Sequence, residues 1–101
     1  MEQLYLLAKG HTLRFPDGNE PFQIATRLLE ECGEVAKEVN HFENSGIKIQ
    51  KYGVPQKQVM ADEIKQAIVA LMQLVIYYNV EDELQISIDN SLNRLREEKL
   101  I

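Results

Sequence analysis

An all-α fold is what this sequence predicts: a compact four-helix, bundle-like domain with two long central helices. Three observations carry that expectation. Apolar residues recur at three- and four-residue spacings in four successive segments, no segment alternates apolar and polar residues between hairpin turns, and clusters of turn-forming residues separate the periodic stretches. At 101 residues and 45% apolar composition, with only 5 Gly and 3 Pro, the chain has the length and side-chain volume of a single domain spanning residues 1–101.

Residues 2 to about 12 place Leu4, Leu7 and Ala8 on one face of a short first helix, which the run Arg14-Phe15-Pro16-Asp17-Gly18-Asn19 ends. Pro21, following Asn19 and Glu20, opens a second helix to about Phe42, with Ile24, Leu28, Cys32, Val35 and Val39 at helical spacing. Asn44-Ser45-Gly46 stops it, and the stretch to Pro55 has no sustained period, so a loop is expected there; loops of that length are often functional. A third helix, about 56–79, carries Met60, Ile64, Ala67, Ile68, Leu71 and Val75 on an apolar arc wide enough to be buried on most sides. The fourth, about 82–99, begins on Asp82 and Glu83 and ends on Arg94, Arg96 and Lys99, complementing the helix dipole, with Leu84, Ile88, Leu92 and Leu95 on one face.

Composition also excludes several function classes. One cysteine, Cys32, and two histidines, His11 and His41, are too few for a closed zinc site of sulfur and nitrogen ligands, and no intrachain disulfide can form. A formal charge of −5 repels phosphate backbones, so a nucleic-acid polymer is not expected as a partner. The start Met1-Glu2-Gln3-Leu4 lacks the features of a secretory signal. The longest apolar run, Ala67 to Tyr78, is interrupted by Gln73 and falls short of the ~20 residues of a membrane span. A soluble, cytoplasmic protein without a membrane partner is expected.

Charged residues that fall where the helical wheel wants apolar ones are the informative positions. On the second helix Glu31 lands beside Ile24 and Val35, inside the apolar arc, and Glu38, Arg27 and Glu34 follow along its border. On the third, Glu63 falls among Ala67, Leu74, Ala70, Tyr77 and Val59, whereas Asp62, Lys65 and Gln73 are assigned to the solvent side. An ionised carboxylate removed from water needs a partner. Either Arg or Lys from another helix supplies it, or a hard divalent cation does. Glu31 and Glu34, at i and i+3, can aim at one point, and Glu63 can approach it from a packed helix.

The run Leu28-Leu29-Glu30-Glu31-Cys32-Gly33-Glu34-Val35-Ala36, followed by Glu63 opening an apolar helix and then by a short acid-capped helix, resembles the MazG-like all-α nucleoside triphosphate pyrophosphohydrolases from about Phe22 to about Leu95. In that family an E-x-x-E and an E-x-x-D bind Mg²⁺, which holds a triphosphate while water attacks the α-phosphorus. The resemblance implies an enzyme converting an NTP or dNTP to monophosphate and pyrophosphate, with Mg²⁺, or Mn²⁺ in its place, on Glu31, Glu34, Glu63 and Gln66. Gln66 departs from the pattern by standing where the family has Asp: an amide oxygen ligates Mg²⁺ but adds no charge, so affinity should fall. Glu38 compensates, or one metal is held in place of two, or catalysis is lost. Glu34 or Glu38 is the expected base or water orienter. Lys48, Lys51, Lys57 and Arg14 are placed to meet phosphate oxygens, and Tyr52 to stack on a base, whereas Phe22 and Tyr77 are expected in the core and His41 in solvent.

Two other readings stand beside this one: a nucleotide- or metal-binding relative without hydrolysis, and a helical protein-interaction module whose acidic stripe pairs with basic residues of a partner chain. Four helices of this size leave the broad arc of the third hard to cover within one chain. A homodimer or homotetramer is therefore expected, and the resemblance points the same way.

Overall fold

The computed structural model describes residues 1–43 and 53–101. It contains four helices, α1 (Glu2–Arg14), α2 (Pro21–Glu43), α3 (Lys57–Tyr78) and α4 (Glu81–Glu97), and no strand among the described residues. The all-α expectation holds, and each helix falls close to its predicted range.

The boundaries have local causes. Helix α1 runs two residues beyond the predicted end. The Asn19 amide donates to the Phe15 carbonyl at 2.6 Å and, at 3.5 Å, to that of Thr12, which the helix leaves unpaired. Helix α2 begins with Pro21, where a missing N–H costs nothing, and the Gln23 side chain accepts the Glu20 N–H at 3.1 Å. Asn79, in the left-handed region at φ 56°, ends α3 as the N–H of Val80 reaches back to the Val75 carbonyl. Lys99, at φ 58°, ends α4 in the same way, with Leu100 N–H on the Leu95 carbonyl, so that helix stops short of the predicted Lys99.

Helix α3 is the hub. Helix α2 packs along it most extensively, α1 covers another side, and α4 meets it only slightly; among the described residues α1 and α2 share no direct helix packing. One cluster of buried residues, Ala8, Val69 and Met72, is surrounded by Leu4, Tyr5, Ile68, Ile76 and Leu84. Ile24, 2% exposed, is the buried anchor of α2, and its truncation to Ala should cost about 2–5 kcal/mol.

The expected all-α helical bundle is present but less compact than expected. It measures 46 × 45 × 21 Å with a radius of gyration of 16.9 Å, against ~13 Å for a globular domain of 100 residues. Several residues assigned to the core are on the surface: Phe22 is 87% exposed, Tyr77 50% and Val39 46%, and Cys32 is exposed too. Among the described residues no helix packs on the face of α2 that bears Cys32 and Val39.

Candidate functional site

Helices α2 and α3 run antiparallel, since residues early in α2 meet residues late in α3. Arg27 Nη2 donates to Gln73 Oε1 at 2.7 Å. Gln73 was assigned to solvent, but it is buried at 3% exposure because α1 closes over that side of α3. Its amide is used at both ends: Oε1 accepts from Arg27, and Nε2 donates to Thr12 Oγ1 at 3.0 Å, which in turn donates to the Ala8 carbonyl at 3.1 Å. Arg27 Nη1 also reaches the Gly18 carbonyl at 3.3 Å, in a turn where Gly18 adopts φ 82°, a conformation costly to residues with a Cβ.

This network decides where the one basic residue of the acidic stripe goes. Among the described residues no carboxylate lies within ion-pair distance of Arg27, and none of Glu31, Glu34 and Glu63 makes an ion pair. The ordinary neutralisation of a half-buried acidic stripe, a guanidinium from the same face, is therefore diverted to a neutral amide and a carbonyl.

Further along the same groove, carboxylates of the two helices influence one another as charges. Glu31, Glu38 and Glu63 are half-buried and Glu34 is exposed. Burial, followed by the negative charges of Glu34, Glu31 and Glu38 facing it from α2 and of Asp62 on its own helix, pushes the Glu63 carboxyl above its ordinary range. Those influences identify the neighbours of Glu63 as the acidic residues picked out on α2. Glu38 Oε2 is buried and accepts no hydrogen bond among the described residues. His41 was expected in solvent, yet its side chain is only 12% exposed: Nδ1 lies 3.9 Å from Glu38 Oε2, and Nε2 donates to the Gly53 carbonyl at 2.7 Å. A carbonyl only accepts, so the proton on Nε2 is fixed and the other ring nitrogen is turned to Glu38.

The donors of this groove are oxygens, the chemistry that suits Mg²⁺ or Mn²⁺. Gln66, one turn after Glu63, is half-buried and offers a neutral oxygen or amide at the border of the groove. Among the described residues no three His, Cys, Asp or Glu side chains are gathered into a closed ligand set. The carboxylates interact as charges across the groove without yet enclosing a point.

The remaining residues singled out in the sequence are dispersed. Lys57 is exposed at the first position of α3. Arg14 lies on the outward face of α1, in a cleft of about 720 Å³ that it lines with Leu6, Leu7 and Gly10, and none of the acidic residues lines that cleft. Lys48, Lys51 and Tyr52 lie outside the described residues. Sequence reasoning missed Gln73 and the role of Arg27. The available signal was Gln73 itself, the one polar residue in the apolar run from Ala67 to Tyr78.

No helix among the described residues is long and apolar enough to cross a membrane. In comparisons with known proteins, the chain matches no family model, no curated protein and no solved structure.

Proposed function

We propose that the chain is a Mg²⁺-dependent nucleotide pyrophosphohydrolase that converts an NTP or dNTP to its monophosphate and pyrophosphate. The observation that supports this most is electrostatic: Glu63 is raised by three carboxylates of the facing helix, while Arg27, the basic residue of that stripe, is bound to Gln73. Unneutralised carboxylates from facing helices favour binding of a dication, and a dication among oxygens favours a polyphosphate as its further ligand.

In this reading Glu31, Glu34 and Glu63 hold the metal, with the Gln66 amide oxygen as a neutral donor. When bound, Mg²⁺ supplies charge neutralisation on the phosphate oxygens. Glu38, with one oxygen buried beside His41, takes a proton from the water that attacks the α-phosphorus, with Glu34 as the alternative base. The bond from that phosphorus to the bridging oxygen breaks, and pyrophosphate leaves with the bridging oxygen. His41, anchored on the Gly53 carbonyl, restrains Glu38 on its other side. Lys57, exposed at the start of α3, is the described basic residue assigned to phosphate oxygens; Arg14, in a cleft that none of the acidic residues lines, is left out of this site.

The deciding experiment measures pyrophosphate release over a panel of NTPs and dNTPs with Mg²⁺ or Mn²⁺. Turnover that is lost in Glu31→Gln and Glu63→Gln is expected, and absence of turnover across the whole panel would refute the proposal. Gln66 favours a second reading, a relative that binds without hydrolysis. Calorimetric binding without products, together with activity created by Gln66→Asp, would identify it.

A further inference from the structure

Arg27 forgoes the partner that its own helix offers. Side chains of a helix lean toward its N-terminus, so helical geometry directs the Glu31 carboxylate, four residues on, toward the turn that carries Arg27. Both residues are half-buried, and a guanidinium bonds a carboxylate more strongly than a neutral oxygen. Yet Arg27 Nη2 donates to the Gln73 amide and Nη1 to the Gly18 carbonyl, and Glu31 makes no ion pair among the described residues. Glu30, three residues on, is exposed, where such a pair contributes little.

The buried amide is what holds the guanidinium. Gln73 is 3% exposed, so its Oε1 would be left without a donor if Arg27 turned away. Nor can the amide reverse itself. The Thr12 hydroxyl gives its proton to the Ala8 carbonyl at 3.1 Å and presents only lone pairs to Gln73, which accept from Nε2 at 3.0 Å. A residue of α1 thereby fixes which end of the amide meets Arg27, and the effect reaches the acidic stripe one helical turn away.

We infer that Gln73, oriented by Thr12 of α1, is a positioning residue of the acidic groove: it retains the Arg27 guanidinium and keeps Glu31 free for a cation, whereas a loosened α1 hands Arg27 to Glu31 and closes the groove to the metal. Seating of the first helix is then a control on metal binding built into the fold. The consequence rests on the metal-binding reading of the groove; the retention of Arg27 rests on the hydrogen-bond network alone.

Calorimetry of Mn²⁺ binding to the full chain tests the consequence. Gln73→Leu should weaken binding about tenfold, the scale on which groups supporting metal ligands act. Adding Arg27→Gln should recover most of that loss, although Arg27→Gln alone should change the affinity by less than about threefold. A Gln73 that merely supported the fold would leave the double variant as weak as the single one, and that result overturns the inference. Thr12→Val, which removes only the acceptor on α1, should weaken binding by a smaller factor, and it replaces Gln73→Leu if that variant fails to fold. The retention of Arg27 is read without metal, from urea unfolding constants in a double-mutant cycle between Arg27→Gln and Glu31→Gln. The two substitutions should be additive in the unmodified chain and coupled about threefold or more in the Gln73→Leu or Thr12→Val background. Equal coupling in both backgrounds overturns the inference as well. Coupling that appears as expected in a chain that binds no Mn²⁺ supports the retention of Arg27 and refutes the metal-binding reading instead.

Discussion

The groove between α2 and α3 has two halves that are oppositely satisfied. Toward the start of α2, Arg27, Gln73 and Thr12 form a chain in which both ends of the Gln73 amide are engaged. Toward its end, Glu31, Glu34 and Glu38 face Glu63, whose protonated form is favoured, and one oxygen of Glu38 is left without a donor. The first half resembles the interior of any stable protein, where buried polar groups find partners. In the second, among the described residues, the carboxylates have only the His41 ring beside Glu38, and their mutual repulsion raises the Glu63 carboxyl. The difference teaches that polar content alone does not mark a site; the informative quantity is what remains unpaired.

The comparison can be broken or sharpened by substitution. The largest effect is expected in the unsatisfied half: Glu31→Gln and Glu63→Gln should lower metal-dependent pyrophosphate release about 100-fold or more while leaving the fold intact by circular dichroism. In the satisfied half, Gln73→Leu strands Arg27 and Thr12, and urea unfolding should show a loss of about 2–3 kcal/mol.

A smaller effect separates the halves by pH. Because the Glu63 carboxyl is raised in the folded protein, the native state binds its proton more tightly than the unfolded chain does. Its favourable contribution is complete below the ordinary glutamate value and is lost as pH rises through the elevated folded value. Urea midpoints should therefore carry a component that falls as pH rises above the ordinary glutamate range, and Glu63→Gln should flatten it. The Arg27–Gln73 half should contribute no such slope. The smallest change is expected from Gln66→Asp: adding a carboxylate to the crowded half should cost about 0.5 kcal/mol of metal-free stability and tighten Mn²⁺ binding in calorimetry.

Much of this architecture was legible in the sequence because it rests on local chemistry. Pro21 set the start of α2, and the acidic and basic ends of α4 set its direction. That Glu31, Glu34 and Glu38 share one border of α2 was legible too, because helical period alone brings those residues together, and their charges raise the Glu63 carboxyl; among the described residues they form no closed ligand set. What was not legible depended on which neighbour covers which side. Gln73 reads as solvent-facing until α1 is laid over it, and Phe22, Tyr77 and Val39 read as core until their faces are found exposed, with no covering helix among the described residues. His41 was misplaced for a similar reason, since the Gly53 carbonyl that receives its proton arrives from beyond the helix.

The amide of Gln73 has a consequence for the register of α1. Helices α1 and α2 do not pack on each other, so their relative height is communicated through a side chain on α3 that donates to one and accepts from the other. An amide read in one direction works as a keyed coupling. Sliding α1 by a turn would set its donor end against a hydrocarbon side chain, and flipping the amide would bring it face to face with the guanidinium N–H groups. The first helix can thus seat in one register only.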